Sequence, residues 1–441
     1  MRLVSLSVLS IALALPLSAG ARTASQSPLS EHSALIARLQ KIYADTHEGY
    51  PILIFDRNEF EWELAQQGLM GDTQSDKRLE FIGSYFQQKT NVDLDFEDTV
   101  NLESYTNLLV DSAFALRLYT KNGWDRPKTK LCVVFPAPEN SNQRLETERI
   151  LGIASMPEAY DSIRYENIKP RLSYEELRLF SLLHEIGHCL DRKFVPQPSF
   201  AGESSYDLHL SEAFAETFAA LAMVREGYPN VAMKRAQLRT LYSGIIGPYL
   251  AVNPHLGMGS PTFADGGVIY HLFPVLRAAH VQILRSPGQL ASADLTSVIE
   301  AAERIVSENA LHYRTFAAIS YFMKLGEKAA LINYEDLAST SPDLFGEALR
   351  GLKHFLALKE AVLKHAIDRN AQPSRPQGSL APIDMSALCR SFKSQNAADF
   401  FEQVNRYRSE LRSQVGTPEE QRTRARELNG LLKKAAQICV L

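Results

Sequence analysis

The stretch SYEELRLFSLLHEIGHCL, Ser173 to Leu190, decides the fold. Ser173 is followed three residues later by Glu176, the capping-box spacing that starts a helix. Leu177, Phe180, Leu183 and Ile186 carry an apolar stripe onward at helical spacing, with no breaker before Gly187. Residues 184–188 read His-Glu-Ile-Gly-His and therefore sit inside a helix rather than in a loop. At i and i+4, His184 and His188 project from one face with Cβ atoms about 5–6 Å apart. Two imidazole nitrogens can then meet one ion at about 2.0–2.1 Å. Glu185 is one residue round, too far off-axis to ligate beside both, but it can reach a water on such an ion as general base. Gly187 is a weak helix former whose missing side chain would let another segment pack close.

Two histidines leave a zinc site short of a ligand. A third histidine on the same stretch is excluded, because the next positions of that pattern hold Asp191 and Phe194. The next candidate is Ser211-Glu-Ala-Phe-Ala-Glu-Thr-Phe218, in a second helical pattern from about Leu208 to Arg225, closed by Gly227 and Pro229. Glu212 and Glu216 are i and i+4 on one face, beside Leu210, Phe214 and Leu221. A bare carboxylate is costly to bury, so the pair needs a partner, either zinc or its histidines. His209, three residues before Glu212, is a rival third ligand.

The His184-Glu185-x-x-His188 helix, followed by a glutamate helix 24 positions after the second histidine, resembles the zincin metallopeptidases of the glutamate-ligand group. Glu212-Ala-Phe-Ala-Glu216 resembles the third-ligand helix of peptidases related to anthrax lethal factor, and His188-Cys-Leu-Asp191 shares that look. The match covers residues 173–223 alone. The resemblance implies one Zn2+ per chain held by His184, His188 and Glu212, with Glu185 as the base. It also implies that Glu216, and in the same way Asp191, hydrogen-bonds a ligand histidine from behind. The implied reaction is hydrolysis of peptide bonds in a protein or peptide substrate. A Tyr or His usually helps hold the oxyanion in such sites; Tyr206 is the first candidate, with Tyr270 and His271 as alternatives. Two other readings stay open: an exported zinc-containing binding module without catalysis, and a zinc amidase acting on cell-wall material.

Working outward, the 441 residues are 45% hydrophobic and 22% charged, which excludes disordered, collagen-like and disulfide-dense classes. A net charge of −4 gives no reason to expect a nucleic-acid partner. Residues 1–21 carry Arg2, an apolar run from Leu3 to Pro16 and Ala19-Gly20-Ala21, the pattern of a cleaved signal peptide. No later run suits a bilayer span, so the expectation is an exported protein, periplasmic or secreted, without stable membrane insertion. Export makes the four cysteines readable as disulfide candidates. Cys389 and Cys439 are expected to pair, while Cys132 and Cys189 either pair or stay as buried thiols.

A helix is expected from about Glu31 to Ala44, and strands at Pro51–Phe55, Lys130–Phe135 and Ile150–Ser155, the last as an edge for an extended substrate. Residues 76–120 read as amphipathic helix and polar loop. Beyond Ser173 the pattern is almost wholly helical, with a linker around 372–382 and a helix start at Thr417–Glu420. The expected fold is α+β and predominantly helical: a zincin-like core whose small sheet precedes the motif helix, and a helical C-terminal region. The expected segments after the leader are 22–125, 126–285 and 286–441.

Overall fold

The structure, a computed structural model, describes residues 31–44, 49–69, 75–107, 113–120, 128–137, 172–196, 204–239 and 266–317, with 320, 386 and 390. The expected leader, the 150–155 strand, the 372–382 linker, the Thr417–Glu420 helix start and the Cys389–Cys439 pairing lie outside the described residues.

The N-terminal part alternates α1 (Glu31–Tyr43), β1 (Ile52–Ile54), α2 (Arg57–Gln66), α3 (Asp76–Thr90), α4 (Phe96–Asn107), β2 (Phe114–Tyr119) and β3 (Thr129–Phe135). Local chemistry sets several of these ends. Asp56 and Ser75 accept the first free N–H groups of α2 and α3, and Asn91 closes α3 at φ 55°. Residues 76–120 are helical through α3 and α4, as expected, but Phe114–Tyr119 is a strand rather than helix or loop.

The sheet order is β1-β3-β2. β1 runs parallel to β3, with Ile52 opposite Cys132, and β2 runs antiparallel to it, with Leu116 opposite Val133. Side chains alternate across a strand, so this small sheet divides two cores. Ile52, Ile54, Cys132 and Val134 face a large core shared with α1 and the later helices. Leu53, Leu118, Leu131, Val133 and Phe135 face a second core, built with Phe55, Phe60, Tyr85 and Phe86. The second core is aromatic: Phe55 has ring centroids of Phe60, Phe86 and Phe135 at 5.1, 5.7 and 5.0 Å.

The rest is helical: α5 (Tyr174–Leu190), α6 (Ser205–Arg225), α7 (residues 231–239), α8 (Gly266–Ile269), α9 (Phe273–Arg285), α10 (Pro287–Ala291) and α11 (Leu295–Asn309). The capping box at the start of α5 is formed: the Ser173 hydroxyl accepts the Glu176 N–H, and Glu176 Oε2 accepts the Ser173 N–H at 2.6 Å. α6 begins three residues earlier than its apolar pattern indicated. It runs through the middle of the large core, with every residue from Ala213 to Val224 buried. The described molecule is thus α+β and predominantly helical, with a small sheet before the motif helix. The large core takes in residues from Ile36 to Val306, so it crosses the expected boundaries at 125/126 and 285/286.

Candidate metal centre

α5 and α6 meet at Gly187. A Cβ there would lie 2.9 Å from Ala215 Cα and 3.2 Å from Ala215 O, so only glycine permits this approach. The close crossing sets Glu212, one helical turn before Ala215, against the histidine face of α5. His184 Nε2 and His188 Nε2 are 3.2 Å apart. Glu212 Oε2 is 3.4 Å from the first, and Glu212 Oε1 is 3.6 Å from the second. One ligand atom from each of the three residues lies within 4.8 Å of the other two.

These spacings are compatible with one bound ion. Ligands at about 2.0–2.1 Å in a tetrahedral site stand roughly 3.3–3.4 Å from one another. Glu212 Oε2 is buried without a hydrogen bond among the described residues, with His184 Nε2 at 3.4 Å and Arg239 Nη2 at 3.5 Å. Two imidazoles and a carboxylate form a donor set that suits zinc.

Surrounding groups position the side chains of the cluster. The remaining nitrogen of His188, Nδ1, is 3.2 Å from Ser211 Oγ, so Nε2 is the one turned to the cluster. His184 Nδ1 is 3.5 Å from Glu216 Oε1 but forms no hydrogen bond among the described residues, so the hydrogen bond expected from Glu216 to a histidine of the cluster is not made. The main partners of Glu216, however, are two guanidiniums rather than zinc or its histidines. Arg235 engages both carboxylate oxygens, and Arg239 Nε donates to Oε1. Burial alone would raise the Glu216 pKa, but Arg235 and Arg239 outweigh it and hold it at about 2. Asp191 does not touch a ligand histidine directly. It caps the end of α5, where its Oδ1 accepts the N–H groups of Lys193 and Phe194 at 3.1 and 2.8 Å. Burial pushes its carboxyl up to about 6.

The end of α5 is anchored to the sheet. Cys132 of β3 and Cys189 form a disulfide. Arg117 of β2 donates to the carbonyls of His188 and Asp191, and the Tyr50 hydroxyl donates to the Cys189 carbonyl at 2.6 Å. These carbonyls have no partner within the helix, and a cation suits the negative end of its dipole. Under the chain-entropy model a disulfide spanning 57 residues contributes about 4 kcal/mol.

Glu185 lies on the cleft side of the cluster, its Oε1 4.0 Å from His184 Nε2, and burial raises its pKa. Burial would raise Glu212 as well, but the adjacent His184 and His188 outweigh it and keep Glu212 well below the usual range. Burial would lower His188, but the adjacent carboxylate of Glu212 and the charges of Glu185 and Asp191 raise it.

The cluster opens into a cleft of ≈ 550 Å³. Ala113 to Arg117 line it consecutively, so the edge of β2 rather than one of its faces forms that wall. Among the described residues β2 pairs only with β3, and this edge carries no strand. Tyr270, Arg235 and Arg239 also line the cleft.

Tyr206, the first expected oxyanion donor, is not brought to the site. Its hydroxyl donates to the Leu311 carbonyl at 3.1 Å, its ring packs on Tyr313 and Phe316, and it does not line the cleft. His271 is buried and does not line it either. His209 is not available as a ligand, because Nδ1 meets the Ile269 carbonyl at 2.9 Å and Nε2 accepts the Leu311 N–H. Sequence reasoning missed Ser211, Arg117, Arg235 and Arg239. Only the last two left a local signal, an i, i+4 basic pair that matches the acidic pair Glu212 and Glu216. The chain matches no family model, no curated protein and no solved structure.

Proposed function

We propose that the chain is an exported zinc-dependent peptidase with a zincin-like core, hydrolysing peptide bonds with Glu185 as general base. One observation carries the reading: His184, His188 and Glu212 converge to within 4.8 Å, with Glu185 beside them, on the wall of one cleft. A zinc ion held by these three residues would bring the pKa of its water to about 7 and polarise a carbonyl.

The chain's own groups do the rest. Glu185 takes a proton from the attacking water and passes it to the leaving amine; its raised pKa suits both transfers. Ser211 orients His188, and the Glu216 carboxylate stands 3.5 Å from the outer nitrogen of His184. The β2 edge offers backbone groups to an extended peptide, in place of the 150–155 strand expected for that role. Of the three oxyanion donors named from sequence, Tyr270 is the one on the cleft wall. Export rests on the pattern of residues 1–21, and the Cys132–Cys189 disulfide suits an oxidising compartment.

The test is elemental analysis of the purified chain beside a His184→Ala control, followed by assay on casein and on peptidoglycan. About one zinc per chain, lost in the control, and cleavage of casein support the reading. Cleavage of peptidoglycan alone moves it to a cell-wall amidase. Zinc without hydrolysis of either moves it to a binding module, and no zinc at neutral pH defeats it.

A further inference from the structure

Arg239 is the second of two guanidiniums on the buried Glu216. Glu216 is 0% exposed, and Arg235 already serves both its oxygens, with Nε at 3.1 and 3.0 Å and Nη2 at 2.8 Å. The Arg235 guanidinium lies 4.8 Å from the centre of the Phe180 ring, within the core. Arg239 adds a second guanidinium. Its Nε donates to Glu216 Oε1, while Nη2 stands 3.5 Å from Glu212 Oε2. Its charge lies 4.9 Å from the centre of the Tyr270 ring, and both residues line the cleft together with Glu185.

As a device for holding a metal this placement is counterproductive. A cation 3.5 Å from the ligand carboxylate competes with a metal cation for the same oxygen and repels it. What the guanidinium does supply is positive potential in a partly enclosed cleft, beside the base. Amide hydrolysis develops negative charge there on the carbonyl oxygen, and fixed charges are most effective where charge appears only in the transition state.

We propose that Arg239 is a catalytic residue whose guanidinium donates to the carbonyl oxygen of the scissile amide as that oxygen becomes anionic. The inference rests on the peptidase reading above. Water adds to the carbonyl carbon, one C–O bond forms, and the π pair of the C=O moves onto oxygen. Glu185 receives the water's proton. Collapse restores the C=O, breaks the C–N bond, and the amine leaves with the proton from Glu185. Arg239 transfers no proton and stays cationic throughout. Burial acts against its charge, but Glu216 and Glu212 more than compensate and raise its pKa. Arg235 has a different part: it fixes Glu216, which in turn fixes the Nε side of Arg239.

The test compares the zinc-loaded wild-type chain with Arg239→Gln and Arg239→Lys, using inorganic phosphate as a tetrahedral oxyanion probe. The glutamine variant should bind zinc at least as tightly as wild type and bind phosphate at least tenfold more weakly. Its casein turnover should fall about 100-fold with little change in KM. Unchanged phosphate affinity, unchanged turnover or a loss of zinc would each overturn the assignment, the last by giving Arg239 a holding role. A zinc-loaded wild type that takes up no phosphate also overturns it. Should neither variant fold, a crystal structure of the zinc-loaded wild-type chain with phosphate decides. An oxyanion oxygen within hydrogen-bond reach of Arg239 sustains the proposal, and one seated elsewhere overturns it. A wild-type chain that binds no zinc defeats the peptidase reading itself, which is a separate result.

Discussion

Replacing Gly187 tests whether the approach of two helices creates the proposed metal site. A Cβ at position 187 would lie 2.9 Å from Ala215 Cα, whereas ordinary contact begins near 3.4 Å. Gly187→Ala therefore pushes α6 away by about 0.5 Å, and Gly187→Val by more, because the contact is with backbone that cannot rotate aside. Glu212 rides on α6. Its distances of 3.4 and 3.6 Å to the two histidine nitrogens would grow to roughly 4 Å, beyond the edge of about 3.3–3.4 Å that a tetrahedral zinc site allows. Overpacking costs about 1–3 kcal/mol, and the better helix propensity of Ala returns up to about 1 kcal/mol. The metal-free alanine variant should thus melt only a few degrees below wild type. Its zinc affinity, measured by competition with a chromophoric chelator, should fall about 10- to 100-fold. The two measurements together separate a displaced ligand from a damaged fold. A Gly187→Ala chain that binds zinc as tightly as wild type would refute the argument.

Further outcomes follow from the same geometry. Glu185→Gln should keep the zinc content and the melting temperature while casein hydrolysis falls by about 100-fold or more; a fully active variant removes Glu185 as base. Glu212→Ala should lose zinc yet leave the metal-free fold nearly as stable. Glu216→Ala strands the buried Arg235 and should cost about 3–5 kcal/mol in denaturant unfolding, with a smaller effect on zinc; the reverse ranking would exchange their roles. Acid should weaken the metal-free fold through His209, which burial lowers to about 4. From pH 6.5 down to 4 the unfolded chain takes up a proton there that the folded chain refuses, so stability is complete above 6.5 and falls by about 3 kcal/mol at pH 4. His209→Gln should flatten that slope in urea titrations; an unaltered slope would locate the acid sensitivity elsewhere.

The parts of the site that were legible in sequence are those set by short-range rules. Ser173 and Glu176 announced the start of α5, the i, i+4 spacing put both histidines on one face, and Gly187 announced a close approach. Tyr206, the first-named oxyanion candidate, misses the cleft on helix geometry. Tyr206 precedes Glu212 by six residues, a rotation of about 600° that leaves it roughly 120° off the ligand face. β2 was hidden because Phe114–Tyr119 contains Ala, two Leu and Arg, all good helix formers. Its strand state comes from pairing with β3, a tertiary effect. Arg117 and Ser211 were invisible for a related reason. Arg117 acts on carbonyls 71 and 74 residues away, and Ser211 on a ring 23 residues away, and no local pattern encodes such partners.

The clasp at the end of α5 fixes when the site can exist during folding. His188 takes its position from Arg117 and Tyr50, and from a disulfide to Cys132, contacts that reach back 57 to 139 residues along the chain. Such long loops close late, because their entropy is lost before the contacts repay it. The isolated segment 173–223 holds every proposed ligand but lacks Tyr50, Arg117 and Cys132, the far side of the clasp. Metal capture at the proposed site should therefore be among the last events of maturation, arriving only after the sheet is assembled and oxidised. A chain threaded unfolded through a membrane would cross with its chemistry switched off, and would acquire it only where oxidant and zinc are both at hand.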